Sequence, residues 1–249
     1  MQPEHSQRYP NNRRIRALDL PPPSNLLRHA QHSEEWRSAG EFIRANFAEH
    51  YQARIRELPS TLVAIQNACG ETTAVSGLRY GVSERLFLEQ YLDGPIENYL
   101  GSAGKVDRSR IVEICNLAAP TPGQVRYLLI ALGTYLHSAG YEWVVCTAIG
   151  SLCNTLARMS FAPVILGMAD PARLGAAAAD WGSYYAKRPR VIAGHLAEAN
   201  QVLSAKMAQK DSPLRLLWHS AARLGQQDRI AEPASLATTG AANFGTVSA

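Results

Sequence analysis

Residues 111–138 read IVEICNLAAPTPGQVRYLLIALGTYLHS, and this stretch decides the fold. Ile111 to Ala118 is rich in β-branched and apolar residues, the mark of a buried strand. Pro120, Thr121, Pro122 and Gly123 break the run at once. From Gln124 to Ser138 the period becomes helical, with Val125, Leu128, Leu129, Leu132 and Leu136 on one side. Gly140 ends that helix. Glu142 to Ile149 (EWVVCTAI) is a second buried strand, Leu152 to Met159 a short helix, and Pro163 to Met168 (PVILGM) a third strand. A β-α-β-α-β unit of this kind predicts an α/β fold with parallel pairing at the centre of a mixed sheet.

Outward from this centre the pattern is simpler. Ser33 caps a helix that opens with Glu34 and Glu35, carries Ile43, Phe47, Tyr51 and Ile55 as one apolar stripe, and stops at Pro59. Thr61 to Gln66 and Thr72 to Val82 read as a hairpin turning at Gly70–Glu71, and Leu86 to Leu88 as a third short strand. EQYLDGPIENYLG then reads as a turn and a short helix, and residues 169–190 as a loop holding Trp181, Tyr184 and Tyr185. Val191 to Ala193 is a last strand and His195 to Lys210 an amphipathic helix. Residues 1–33, basic and holding Pro21–Pro23, read as a flexible arm. Residues 34–210 form the domain, and 211–249, rich in Ala, Gly, Ser and Thr towards the end, a flexible tail.

Composition bounds the function. The 249 residues are 46% hydrophobic and 18% charged, which excludes a coiled coil or a wholly disordered chain. A formal charge of +4 gives no argument for nucleic acid. Four cysteines form no C-x-x-C pair, and the seven histidines show no metal spacing. No metal is expected, and the cysteines read as reduced core thiols of a cytoplasmic protein. No apolar run nears the length of a transmembrane helix, and Arg13–Arg14 precedes no apolar segment of a signal peptide.

A strand, a Pro/Gly turn and a helix can hold an anion on the first helical amides. Gly123, Gln124, Val125 and Arg126 form that start here, with Gly123 permitting close approach and Arg126 adding charge. An ordinary crossover turn with a solvated arginine fits the same residues. Glu113 is a carboxylate inside an apolar strand, sharing a face with Ile111, Cys115 and Leu117, and burial tends to raise its pKa. A structural ion pair is its other reading. Asn116 falls on the opposite face, and Arg79 lies on an early strand where it pairs with Glu113, meets a substrate carboxylate, or stays solvated.

The order of elements resembles the GNAT (N-acyltransferase) fold, in which the turn after the fourth strand cradles the pyrophosphate of acyl-CoA. TPGQVR, residues 121–126, is similar to that turn but carries one glycine where the family carries two or three. Ser76–Arg79, Glu113–Asn116, Gly140–Tyr141 and Arg158–Phe161 resemble segments of acyl-homoserine-lactone synthases, with Cys115 and Asn116 standing where Ser and Arg would be. The chain is also similar to the thermostable hemolysin family through GLRYGVSERLFLEQYLDGPIE (77–97), EWVVCTAIGSLCNTLARMSFAP (142–163) and WGSYYAKRPRVIAGHL (181–196).

These resemblances imply an acyltransferase that moves an acyl group from a phosphopantetheine thioester, on CoA or acyl-carrier protein, to an amine or small-metabolite acceptor. Glu113 is implied as general base and Asn116 as holder of the thioester carbonyl, with the amides near Leu117 and Ala118 beside it. Gly123 to Arg126 and Asn154 fall to the donor, and Arg79, Trp181 and Tyr184 to the acceptor pocket. Leu156 stands where many relatives of that fold carry a tyrosine acid. A membrane-active hemolysin, as the family name implies, and an inactive thioester-binding module are the alternatives.

Overall fold

The computed structural model describes residues 22–101, 106–207 and 214–230. Seven strands form one mixed sheet: β1 (Pro23–Ala30), β2 (Thr61–Asn67), β3 (Thr72–Tyr80), β4 (Ile111–Ala118), β5 (Trp143–Ala148), β6 (Val164–Met168) and β7 (Arg190–His195). Their order in space is β1-β2-β3-β4-β5-β7-β6. Among the described residues five helices accompany them: α1 (Glu34–Tyr51), α2 (Pro122–Ser138), α3 (Gly150–Arg158), α4 (Leu196–Met207) and α5 (Arg215–Gln227).

The start of α1 is as expected, but it ends at Tyr51 with Gln52 left-handed at φ +54°, so Ile55 lies beyond the helix and Pro59 does not stop it. Ser33 Oγ accepts from the Trp36 amide at 3.0 Å and starts α1. Ile43 and Phe47 on its stripe are buried against Leu62, Ala64 and Val75 of the sheet. On the other face, Leu128, Leu132 and Leu136 of α2 pack on Val63, Leu78, Val112 and Ile114. The sheet thus lies between α1 on one face and α2, α4 and α5 on the other.

Among the described residues, parallel pairing is confined to β4 and β5. β7 inserts between β5 and β6, antiparallel to both, so the third strand of the expected unit ends at the sheet edge. Leu86 to Leu88 is not a strand: Phe87–Tyr91 is a 3-10 turn, capped when the Glu89 carboxylate accepts from the Leu86 amide at 3.0 Å. Ile96–Tyr99 is a second such turn directly after Pro95. Residues 171–187, expected as loop, hold 3-10 segments at Pro171–Trp181 and Tyr184–Lys187.

Both predicted domain boundaries move outward. The expected arm contains β1, which pairs along the whole of β2 and buries Leu26. The expected tail contains α5, whose Leu217 and Ala221 are buried against the core. The two are tied together: Ser220 Oγ accepts from the Leu26 amide at 3.1 Å, and the Arg28 guanidinium meets Asp228 at 2.7 Å. Tyr135 of α2 donates to the same Asp228 at 2.9 Å. The remaining residues of the arm and tail lie outside those described. No described helix is long and apolar enough to cross a membrane.

Candidate active site

The site begins with one extra residue in β4. Its neighbour β3 pairs Gly77 with Cys115 but Val75 with Ala118, so three steps of β4 face two of β3. Asn116 absorbs the surplus at φ +50°, a left-handed conformation that Asn tolerates better than most residues. The Ser76 hydroxyl donates to the Cys115 carbonyl at 2.9 Å and satisfies a group the bulge takes out of the ladder. A Cβ on Gly77 would stand 2.5 Å from Pro59 and 3.0 Å from the Cys115 sulfur, so the close passage needs glycine.

The bulge switches faces. Val112 and Ile114 join the α2 side of the core, as period two requires. Past Asn116, Leu117 packs on that same side and Ala118 packs with the α1 core. The expectation that Leu117 shares the face of Glu113 is therefore corrected, because the extra residue inverts the alternation. β4 and β5 also part here. Their ladder runs from Ile111–Trp143 to Ile114–Cys146 and stops, while β5 continues beside β7 to Ala148–Arg190.

A cleft of about 530 Å³ occupies the gap and is lined from both faces of the sheet. On the α1 side its walls are the rings of Phe47, Tyr51, Phe87, Tyr91, Trp181 and Tyr184. On the other side they are Val125, Leu129 and Gly133 of α2, Leu152 and Leu156 of α3, and Val202 and Leu203 of α4. Asn116 and Leu117 lie at the gap itself.

Glu113 is 1% exposed and borders this cleft. Its carboxylate accepts from the Phe87 amide at 2.6 Å and the Leu88 amide at 3.1 Å, the first amides of the Phe87–Tyr91 turn. Burial pushes its pKa up to about 8, against the pull of those amides and of Arg79. The turn is itself clamped. Glu89 accepts from the Leu86 and Ile96 amides at 3.0 and 2.9 Å and from Arg108 at 2.6 Å.

Arg79 pairs in register with Glu113, but its guanidinium meets Glu84 at 2.6 Å and it does not line the cleft. Burial also raises Cys115 well above the usual thiol range and Cys146 to about 12, so both are held as thiols.

The structure gathers Glu113, Asn116, Leu117, Val125, Trp181 and Tyr184 on the cleft. It leaves Ala118 fully buried off the lining and Gln124 buried behind the helix start. Gly123, Arg126 and Asn154 are exposed outside it. Thr121 and Pro122 border the cleft, and Thr121 Oγ1 caps α2 by accepting from the Gln124 amide at 3.4 Å. Space around Gly123 is open, since the nearest atom to an added Cβ is Thr121 Oγ1 at 3.9 Å.

The sequence reading missed Phe47, Tyr51, Phe87, Tyr91 and Gly133 as cleft residues. The first two already served as a core stripe, and nothing in their spacing separates the two roles. Leu156 does line the cleft, so that position offers no proton. Hydroxyls stand elsewhere. Tyr184 donates to the Thr147 carbonyl at 3.2 Å, and Tyr91 is hydrogen-bonded to Tyr185, whose pKa burial pushes up to about 12.

A mixed sheet opened by a bulge in its fourth strand, with a helix start on one lip, is the GNAT-like α/β fold. The chain belongs to the thermostable hemolysin family, whose sequence profile matches residues 29–200. A search of curated proteins by sequence finds no match. Among solved structures the chain is similar to BjaI, a CoA-dependent acyl-homoserine lactone synthase solved with SAM and isopentyl-CoA. The identity is 11%, over 80% of this chain and 98% of that one, with a TM-score of 0.51. This likeness establishes the shared fold. FeeM, an N-acyl amino acid synthase from uncultured soil microbes, matches at 11% identity over 72% of this chain and 94% of its own, with a TM-score of 0.48.

Proposed function

We propose that this protein is a cytoplasmic acyltransferase. It moves an acyl group from a phosphopantetheine thioester, on CoA or acyl-carrier protein, to an amine or small-metabolite acceptor. The observation that carries this reading is the gap between bulged β4 and β5, which exposes main-chain groups and the Glu113 carboxyl to one cleft. The amine nitrogen attacks the thioester carbonyl, the C–N bond forms and the C–S bond breaks. Glu113, with a pKa near 8, takes the proton that the ammonium must lose. Asn116 and the Leu117 amide hold the carbonyl oxygen as charge develops on it. The pyrophosphate of CoA, or the phosphate of a carrier protein, rests outside the cleft at Gly123 to Arg126, with Asn154 on the adjacent helix. Trp181 and Tyr184 face the acceptor.

The test is thermal unfolding against a panel of acyl-CoAs and acylated carrier proteins. A ligand at about 100 times its dissociation constant adds about 2.7 kcal/mol of stability, a shift of several degrees. A shift that grows with one acyl length supports the donor site, and no shift with any thioester sinks it. Leu156 on the cleft favours a second reading, a module that binds thioesters without turnover. Thioester stabilisation without acyl transfer to any amine would select it. Liposome leakage tests the lytic activity that the family name suggests.

A further inference from the structure

The charged character of the cleft names its acceptor more closely, on the assumption that the acyltransferase reading is right. Among the described residues, the acidic side chains on the lining are Glu113 and Glu198, the imidazoles are His50 and His195, and no lysine or arginine lines the cleft. Glu113 sits among rings that face one another edge-on or tilted. Phe87 and Trp181 have centroids 5.5 Å apart, Trp181 and Tyr184 5.5 Å, and Tyr51 and Tyr184 5.3 Å. Ring faces and a carboxylate together attract a cation. The nearby guanidinium, Arg79, is engaged by Glu84 and lies off the lining. A carboxylate brought into this chamber leaves water and finds no lysine or arginine on its walls.

We infer that the acceptor is a cationic amine that carries no carboxylate, such as an arylalkylamine, and that the site rejects amino acids. The ammonium rests between Trp181 and Glu113. The acceptor's organic part fills the ring-lined chamber on the α1 side, and the acyl chain runs to the aliphatic side. On reaction the ammonium gives one proton to Glu113, the amine nitrogen bonds to the acyl carbon, and the thiolate leaves and is protonated. No oxidant or reductant is needed.

The experiment is calorimetric titration of the full chain with matched pairs: phenethylamine against phenylalanine, and tyramine against tyrosine. Phenylalanine methyl ester is a third arm, because it keeps the ammonium and removes the anion. The amines should bind at least about tenfold more tightly than the amino acids, which corresponds to about 1.4 kcal/mol. The ester should recover most of that loss, and Trp181→Leu should weaken the amines. Equal or tighter binding of the amino acids overturns the inference, as does failure of every amine to bind. Acyl-CoA stabilisation measured on the same protein separates the two failures. If thioesters stabilise and amines do not bind, only the acceptor assignment falls. If neither does, the acyltransferase reading falls with it.

Discussion

The two walls of the cleft are built from different materials. On the α1 side they are aromatic rings whose polar ends or flanking backbone are tied down. The Tyr184 hydroxyl is tied to β5, and Tyr91 is bonded to Tyr185. The chain around Trp181 is strapped to the end of α1. The Ser183 amide donates to the Tyr51 carbonyl at 2.8 Å, the Arg54 amide to the Asp180 carbonyl at 2.6 Å, and Arg56 meets Asp180 at 2.6 Å. On the opposite side the walls are Leu129, Leu156, Val202 and Leu203, aliphatic side chains on three helices. Such side chains repack among rotamers at small cost, whereas tethered rings do not. On the proposed function, the ring side recognises a fixed shape and the aliphatic side accommodates a variable chain.

The sharpest way to break this division is Glu113→Gln, which keeps the shape of the ring side and removes its proposed base. Acyl transfer should fall by about 100-fold or more, while thioester binding on the other side persists. Unchanged turnover removes Glu113 from the mechanism. The same residue predicts a pH dependence. Its folded pKa lies above its unfolded value, so between about 4.5 and about 8 the folded state holds a proton that the unfolded state has lost. Stability should therefore be highest below that window and fall as pH rises through it, by up to about 1.4 kcal/mol per pH unit. Denaturant unfolding of Glu113→Gln should show a shallower slope. Transfer activity should move the other way and rise as the base ionises.

A smaller effect tests the strap. Gly182 sits at φ +51°, and a Cβ there would lie 2.0 Å from the Tyr51 carbonyl oxygen. Gly182→Ala should cost about 2–3 kcal/mol and loosen the ring wall, read by urea titration and by a drop in amine affinity. The smallest change sharpens the aliphatic side. A Cβ on Gly133 would stand 3.4 Å from Leu203, so Gly133→Ala narrows the cleft with little clash. Affinity for the longest bound acyl chain should fall about tenfold and that for acetyl should hold, measured by thermal shift.

How much of this was legible follows from the range of the forces involved. The β4–turn–α2 unit, the β2–β3 hairpin and the Ser33 cap are set within a few residues, and sequence pattern finds them. Glu113 and Asn116 stood out because each is polar in an apolar strand. β1 and α5 did not, since the contacts that order them join residues 194 and 200 positions apart. The insertion of β7 between β5 and β6 is likewise a long-range choice that no local period encodes. The bulge left only an asparagine as a trace, and without it the face of Leu117 was assigned by plain alternation. The Phe87–Tyr91 turn imitates a strand in composition, yet its amides are what hold Glu113.

The tie between the first strand and the last helix also sets a timetable for synthesis. Leu26 and Arg28 leave the ribosome early, and their partners Ser220 and Asp228 emerge about 200 residues later. At about 5–20 residues per second that is a wait of roughly 10–40 s. Through it, the flank of α2 that ends in Tyr135 stays uncovered, longer than the sheet needs to collapse upon itself. The nascent chain thus presents an apolar helix face until residues 215–227 have emerged, which makes α5 the closing piece of this core.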